Sequence, residues 1–186
     1  MDVYNMLETI PHSIWSDEEL LELERQINRR HGNYQKAQYL KNEAYRLMQE
    51  EEGVQQKKRV ALMEKMIELF PDEHLCTMAG HSCLGKYYRS IGELDTALSH
   101  FEQVRAHNNS CTSKYGMPEM QIALTVIMLE QTDKYDYAKA VLDTVNPRTL
   151  FVKEHLELYK LMTAVINGNG SPREVQEYYR RCHWLF

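Results

Sequence analysis

Residues 70–104 read FPDEHLCTMAGHSCLGKYYRSIGELDTALSHFEQV, and this stretch decides the fold class. Pro71 and Asp72 open it. Leu75, Met78, Ala79, Leu84, Tyr88 and Ile91 then recur at helical spacing. Gly92 ends that helix, because a left-handed corner costs glycine nothing sterically. Leu94, Ala97, Leu98, Phe101 and Val104 place a second apolar stripe on the next helix. The pattern is helix, one-glycine corner, helix, with small residues, Gly85 and Ala97, where the two must touch.

The rest of the chain reads the same way. Ser16-Asp17-Glu18-Glu19 is a capping box, serine at the N-cap and glutamate three residues on, opening a helix over 17–31. Asn33 caps a helix running to about Glu52, and Gly53 breaks it. A further helix covers Val54 to Phe70. After the quoted hairpin comes a polar loop from His107 to Gly116. Pro118 then starts a helix to about Gln131, Asp133 leads into a short one, and Asn146-Pro147 ends that. A long helix follows to Ile166, and Ser171-Pro172 caps a last one from Arg173 to about His183. No segment alternates like a strand. The fold class is all-α, in one domain over 1–186: an N-terminal arm and capping helix in 1–31, paired helices over 34–183, and an apolar ending at 184–186.

The 186 residues carry a net charge of −5, with 43% hydrophobic and 26% charged residues. That is an ordinary globular composition. The acidic balance argues against nucleic acid or an anionic membrane as the main partner. No apolar run approaches the ~18–20 residues of a membrane span, and residues 1–15 lack the pattern of a secretory signal. The four cysteines form no CxxC pair and read as free thiols of a reducing, cytoplasmic setting.

Leu84-Gly85, Tyr88, Gly92, Ala97 and Phe101 resemble the signature of the tetratricopeptide repeat (TPR). Ala138 and Leu142, and then Val175 and Tyr179, stand where Ala97 and Phe101 do. The spacing from 97 to 138 to 175 exceeds the roughly 34 residues of an ordinary repeat, and so is similar to the longer repeats of kinesin light chain. The resemblance implies an α-α superhelix, a solenoid of about four TPR-like hairpins behind an N-terminal capping helix. Two N-terminal registers compete: Gly32-Asn33 also looks like a repeat corner, but the Gly53 corner leaves no unpaired helix downstream and is preferred.

Such hairpins use the first helix of each pair to line a concave, protein- or peptide-binding face. Carried over by position, that face takes Lys41 and Met48, then Ser82, Lys86 and Arg89, then Ile127 and Glu130, then Lys160 and Asn167. Met120 and Ala123 belong with Ile127. Lys86 and Arg89, three apart, suit a carboxylate; an ordinary solvated face is the plainer reading. The expected function is a non-enzymatic binding scaffold. The alternatives are a peptide-sensing regulator resembling the Rap-like pheromone receptors of bacteria, and a chaperone resembling the TPR chaperones of type III secretion.

No cofactor is expected and no metal. His74, Cys76, His81 and Cys83 tempt, but 74/81 and 76/83 are each two turns apart and do not converge on one tetrahedral ion. No phosphate loop, HExxH or GxSxG is present, so no catalytic residue is assigned. Trp184-Leu185-Phe186 reads as cover for the last hairpin, with a homodimer contact as the alternative.

Overall fold

A computed structural model describes residues 14–47, 53–110, 116–130, 132–150 and 152–182. Among these the chain is helical throughout, with no strand. The helices are α1 (Asp17–Asn28), α2 (Asn33–Arg46), α3 (Gly53–Leu69), α4 (His74–Ser90), α5 (Leu94–Ser110), α6 (Pro118–Met128), α7 (Tyr135–Leu142), α8 (Lys153–Ile166) and α9 (Pro172–Cys182). Short 3-10 turns, Thr132–Lys134 and Pro147–Thr149, precede α7 and α8. No described helix is long and apolar enough to cross a membrane. The chain divides into two compact units, Met1–Tyr87 and Tyr88–Phe186, the division falling inside α4.

In the first unit α2 packs on both α1 and α3. The capping box forms as the sequence demands: Glu19 N–H donates to Ser16 Oγ at 3.2 Å, and Ser16 N–H donates to Glu19 Oε2 at 2.9 Å. The entry to α2 differs from the reading. Its N-cap is Gly32, at φ +81°, and no side chain caps it; Asn33 is already helical. Leu20, Leu23, Ile27, Ala37, Leu40 and Ala44 are buried from α1 and α2, with Leu62, Met63 and Met66 from α3. Side chains of α3 press on α4 at Gly80, where a Cβ would lie 2.8 Å from Met66 Cε and 3.0 Å from Ile67 Cδ1. Gly85 is buried as well.

The second unit begins at the corner after α4. Gly92 sits at φ +85°. Glu93 N–H donates to Tyr88 O at 2.8 Å and Gly92 N–H to Arg89 O at 3.2 Å, the two bonds of a Schellman motif. Gly168 ends α8 identically, with Asn169 N–H on Ala164 O and Gly168 N–H on Val165 O. The loop expected from His107 is helical over its first described residues, His107 to Ser110. α5 continues to Ser110 because Asn108 is buried and the Ser110 hydroxyl donates back to His107 O at 2.9 Å.

α6 is the centre of this unit. It packs against α5, α7, α8 and α9. Every residue from Met120 to Ile127 is buried, so it has no solvated face. A helix apolar on all sides belongs in a core rather than along a groove. Its one polar pair in mid-helix is internal, the Thr125 hydroxyl donating to Gln121 O at 2.7 Å.

Candidate functional site

The residues assigned from the sequence fall in several environments. In the first unit Lys41 and Ser82 are half-buried and Lys86 is exposed; Met48 lies outside the described residues. In the second unit Ile127 is fully buried, together with Met120 and Ala123. Glu130 is exposed at φ +54° after α6, with Gln176 Nε2 at 3.5 Å from its carboxylate. Lys160 is exposed and paired with Glu157 at 2.9 Å. Asn167 is the exposed C-cap of α8.

Arg89 is only 3% exposed. Phe101 and Tyr179 hold its guanidinium between their rings, 5.2 and 4.7 Å from the centroids. Side chains in the core, Ile127 and Arg89 among them, present no surface to a ligand in this arrangement. The cause is tertiary: α9 supplies Tyr179, and α5, α7, α8 and α9 enclose α6.

Of the cysteine and histidine set, Cys76 and Cys83 are buried, and burial pushes both thiols up in pKa. His74 is exposed and His81 half-buried. Among the described residues no three His, Cys, Asp or Glu side chains are grouped to share a metal ion.

The second unit has instead a cleft of about 380 Å3 where the end of α5, the start of α6 and the end of α7 meet. Asn108, Asn109, Asn146, Glu119, Thr144 and Thr149 give it a polar lining, and Met117, Val145 and Leu150 an apolar one. Asn146 is fixed by its own turn: its Oδ1 accepts from Arg148 N–H at 3.0 Å and its carbonyl from the Thr149 hydroxyl at 2.7 Å. The Thr144 hydroxyl donates to Val141 O. No side chain caps α6, whose N-cap, Met117, also lines the cleft. The cleft thus gathers amide donors and acceptors, one carboxylate and a helix N-terminus. Sequence reading missed it because its walls come from three separated segments; the polar run around Asn108-Asn109 was the one legible signal.

Comparison with protein-family models, with curated proteins and with solved structures returns no match for this chain.

Proposed function

We propose that this chain is a non-enzymatic helical module of TPR-like hairpins that binds a protein or peptide, rather than nucleic acid or a membrane. The amide-lined cleft carries the reading. An extended peptide alternates N–H and C=O along its backbone, and an asparagine amide offers both complements in one side chain. Met117, Val145 and Leu150 add apolar contact for the peptide's side chains, and Glu119 favours a segment with a positive charge nearby. A polar, amide-rich cleft supports the peptide-sensing alternative more than the chaperone one, for which an apolar groove is the expectation. The Gly92 corner, with Ala97 and Phe101 buried behind it, supports the repeat reading of the fold.

The test is selection from a randomised dodecapeptide library, followed by titration of the best peptide against wild type and two variants. Asn109→Ala and Glu119→Gln alter side chains that are not in the core, and each is expected to weaken binding about tenfold, the worth of one charge-assisted or well-formed hydrogen bond. A library that yields no peptide, or a selected peptide indifferent to both changes, ends the proposal.

A further inference from the structure

The amide-lined cleft of the second unit has one acid, Glu119, and no lysine or arginine among its lining residues. Glu119 is half-buried in the first turn of α6 and has no ion pair or hydrogen bond among the described residues. Arg148, beside Thr149 in sequence, does not line the cleft. Two helix C-termini border the same space. α5 ends at Ser110, just after the lining Asn108 and Asn109, and α7 ends at Leu142, just before the lining Thr144 and Val145. A helix C-terminus carries partial negative charge and an N-terminus partial positive charge. Two negative helix ends and a free carboxylate, against the one positive end of α6, suit a cation.

Across the cleft the polar groups are donors. Asn146 Oδ1 is already used, accepting from Arg148 N–H at 3.0 Å, so the amide nitrogen is what Asn146 has left to offer. That nitrogen has no acceptor among the described residues. Asn109, exposed and without a hydrogen bond among the described residues, can give a cation a second acceptor through its Oδ1. The cleft therefore pairs a site for a cation with a donor for a carbonyl. At the amino terminus of a peptide the ammonium and the first carbonyl share one α-carbon. In a lysine the four-carbon stem stands between them, and a polyamine has no carbonyl at all.

We propose that this cleft captures the free amino terminus of a peptide. The ammonium meets Glu119 and Asn109 Oδ1, the first carbonyl accepts from Asn146 Nδ2, and Met117, Val145 and Leu150 lie against the first side chains. The proposal rests on the peptide-binding reading of the same cleft and names the end of the peptide that it holds.

The probes are Ala-Ala-Ala-amide, its N-acetylated form and acetyl-Ala-Lys-Ala-amide. The readout is the backbone N–H signal of Glu119 and the side-chain NH2 signals of Asn146 in 1H–15N spectra of the full chain. The free-amine peptide is expected to shift both saturably, the acetylated one neither, and the lysine peptide to bind at least about fivefold more weakly. Glu119→Gln should weaken the free-amine peptide about tenfold, the worth of a hydrogen bond to a charged group. Glu174→Gln, an exposed change in the first turn of α9, should leave it unaltered. Unmoved signals, an equal response to the acetylated peptide, a lysine peptide that binds as tightly, or equal effects of the two glutamate changes overturn the proposal. Dodecapeptides selected from the library that bind as well after N-acetylation overturn it while leaving peptide binding in place. Failure of the library and the tripeptide together ends both.

Discussion

Nη2 of Arg89 donates to the hydroxyl of Tyr179 at 2.8 Å, tying the last turn of α4 to α9. It is the one hydrogen bond that this buried guanidinium makes among the described residues: Nε and Nη1 have no acceptor. Burial pulls the Arg89 pKa down, and Tyr179 partly opposes the shift. Two ring faces supply the remaining compensation.

Removing the acceptor should therefore cost more than removing the charge. Tyr179→Phe strands a buried cation and is expected to destabilise the chain by about 1–3 kcal/mol. Arg89→Met keeps the volume and removes the desolvated charge, so its effect is expected to be small or stabilising. In the Arg89→Met background Tyr179→Phe should cost little. Urea unfolding of the four proteins closes the double-mutant cycle; equal costs of Tyr179→Phe in both backgrounds would sink this account.

The same arginine shows where sequence reading stops. Local chemistry was legible: the Ser16–Glu19 capping box and the Gly92 corner depend on residues within a few positions of each other, and both form. The end of α5 was not, because Asn108, Asn109 and Ser110 look like a loop, and the burial of Asn108 that helps carry the helix through them is tertiary. The repeat resemblance places Arg89 on an open face by its position in the first helix of a hairpin. Spacing names a face of a helix but not what covers it, and Tyr179 arrives from a distant helix. For Ile127 a signal existed. The run Ile122-Ala123-Leu124-Thr125-Val126-Ile127 is apolar around nearly the whole helix, which is the mark of a core helix. The amide-lined cleft combines residues from separated segments, and little that is local announces it.

Glu19 makes stability depend on pH. Its carboxyl is held below the usual value of 4.5 by the hydrogen bond from Lys58 first, and then by the backbone N–H of Ser16. A carboxyl with a lowered folded pKa contributes stability that is present above its unfolded pKa and is lost as pH falls through the folded one. The urea midpoint should therefore drop as pH falls below about 4.5, and Glu19→Gln should flatten that part of the curve while lowering stability at neutral pH. Parallel curves for the two proteins would remove Glu19 from the explanation.

At Gly92 the cost of a side chain is purely conformational. No atom lies within 4 Å of a Cβ built there, but φ is +85°. Gly92→Ala is expected to lose about 1–2 kcal/mol, and Gly92→Asn less, since asparagine tolerates the left-handed region better. Thermal unfolding of the three proteins tests the order glycine, asparagine, alanine. Alanine matching glycine would mean that the corner rearranges.

Gly80 presents the opposite case, a helical glycine whose substitution is limited by space. Alanine there gains about 1 kcal/mol of helix propensity but drives its methyl toward Met66 Cε at 2.8 Å and Ile67 Cδ1 and Cγ1 at 3.0 Å. Overpacking of a tight contact costs about 1–3 kcal/mol. The Met66 terminus can swing aside, whereas Cγ1 of Ile67 is close to its backbone and branched. Gly80→Ala is thus expected to destabilise by about 1 kcal/mol net. In an Ile67→Ala background, which removes both isoleucine contacts, the same change should become neutral or stabilising as the propensity gain emerges. Ile67 is half-buried, so that background should stay folded and the comparison readable by urea denaturation. If Gly80→Ala costs the same in both backgrounds, Ile67 is not what keeps position 80 a glycine.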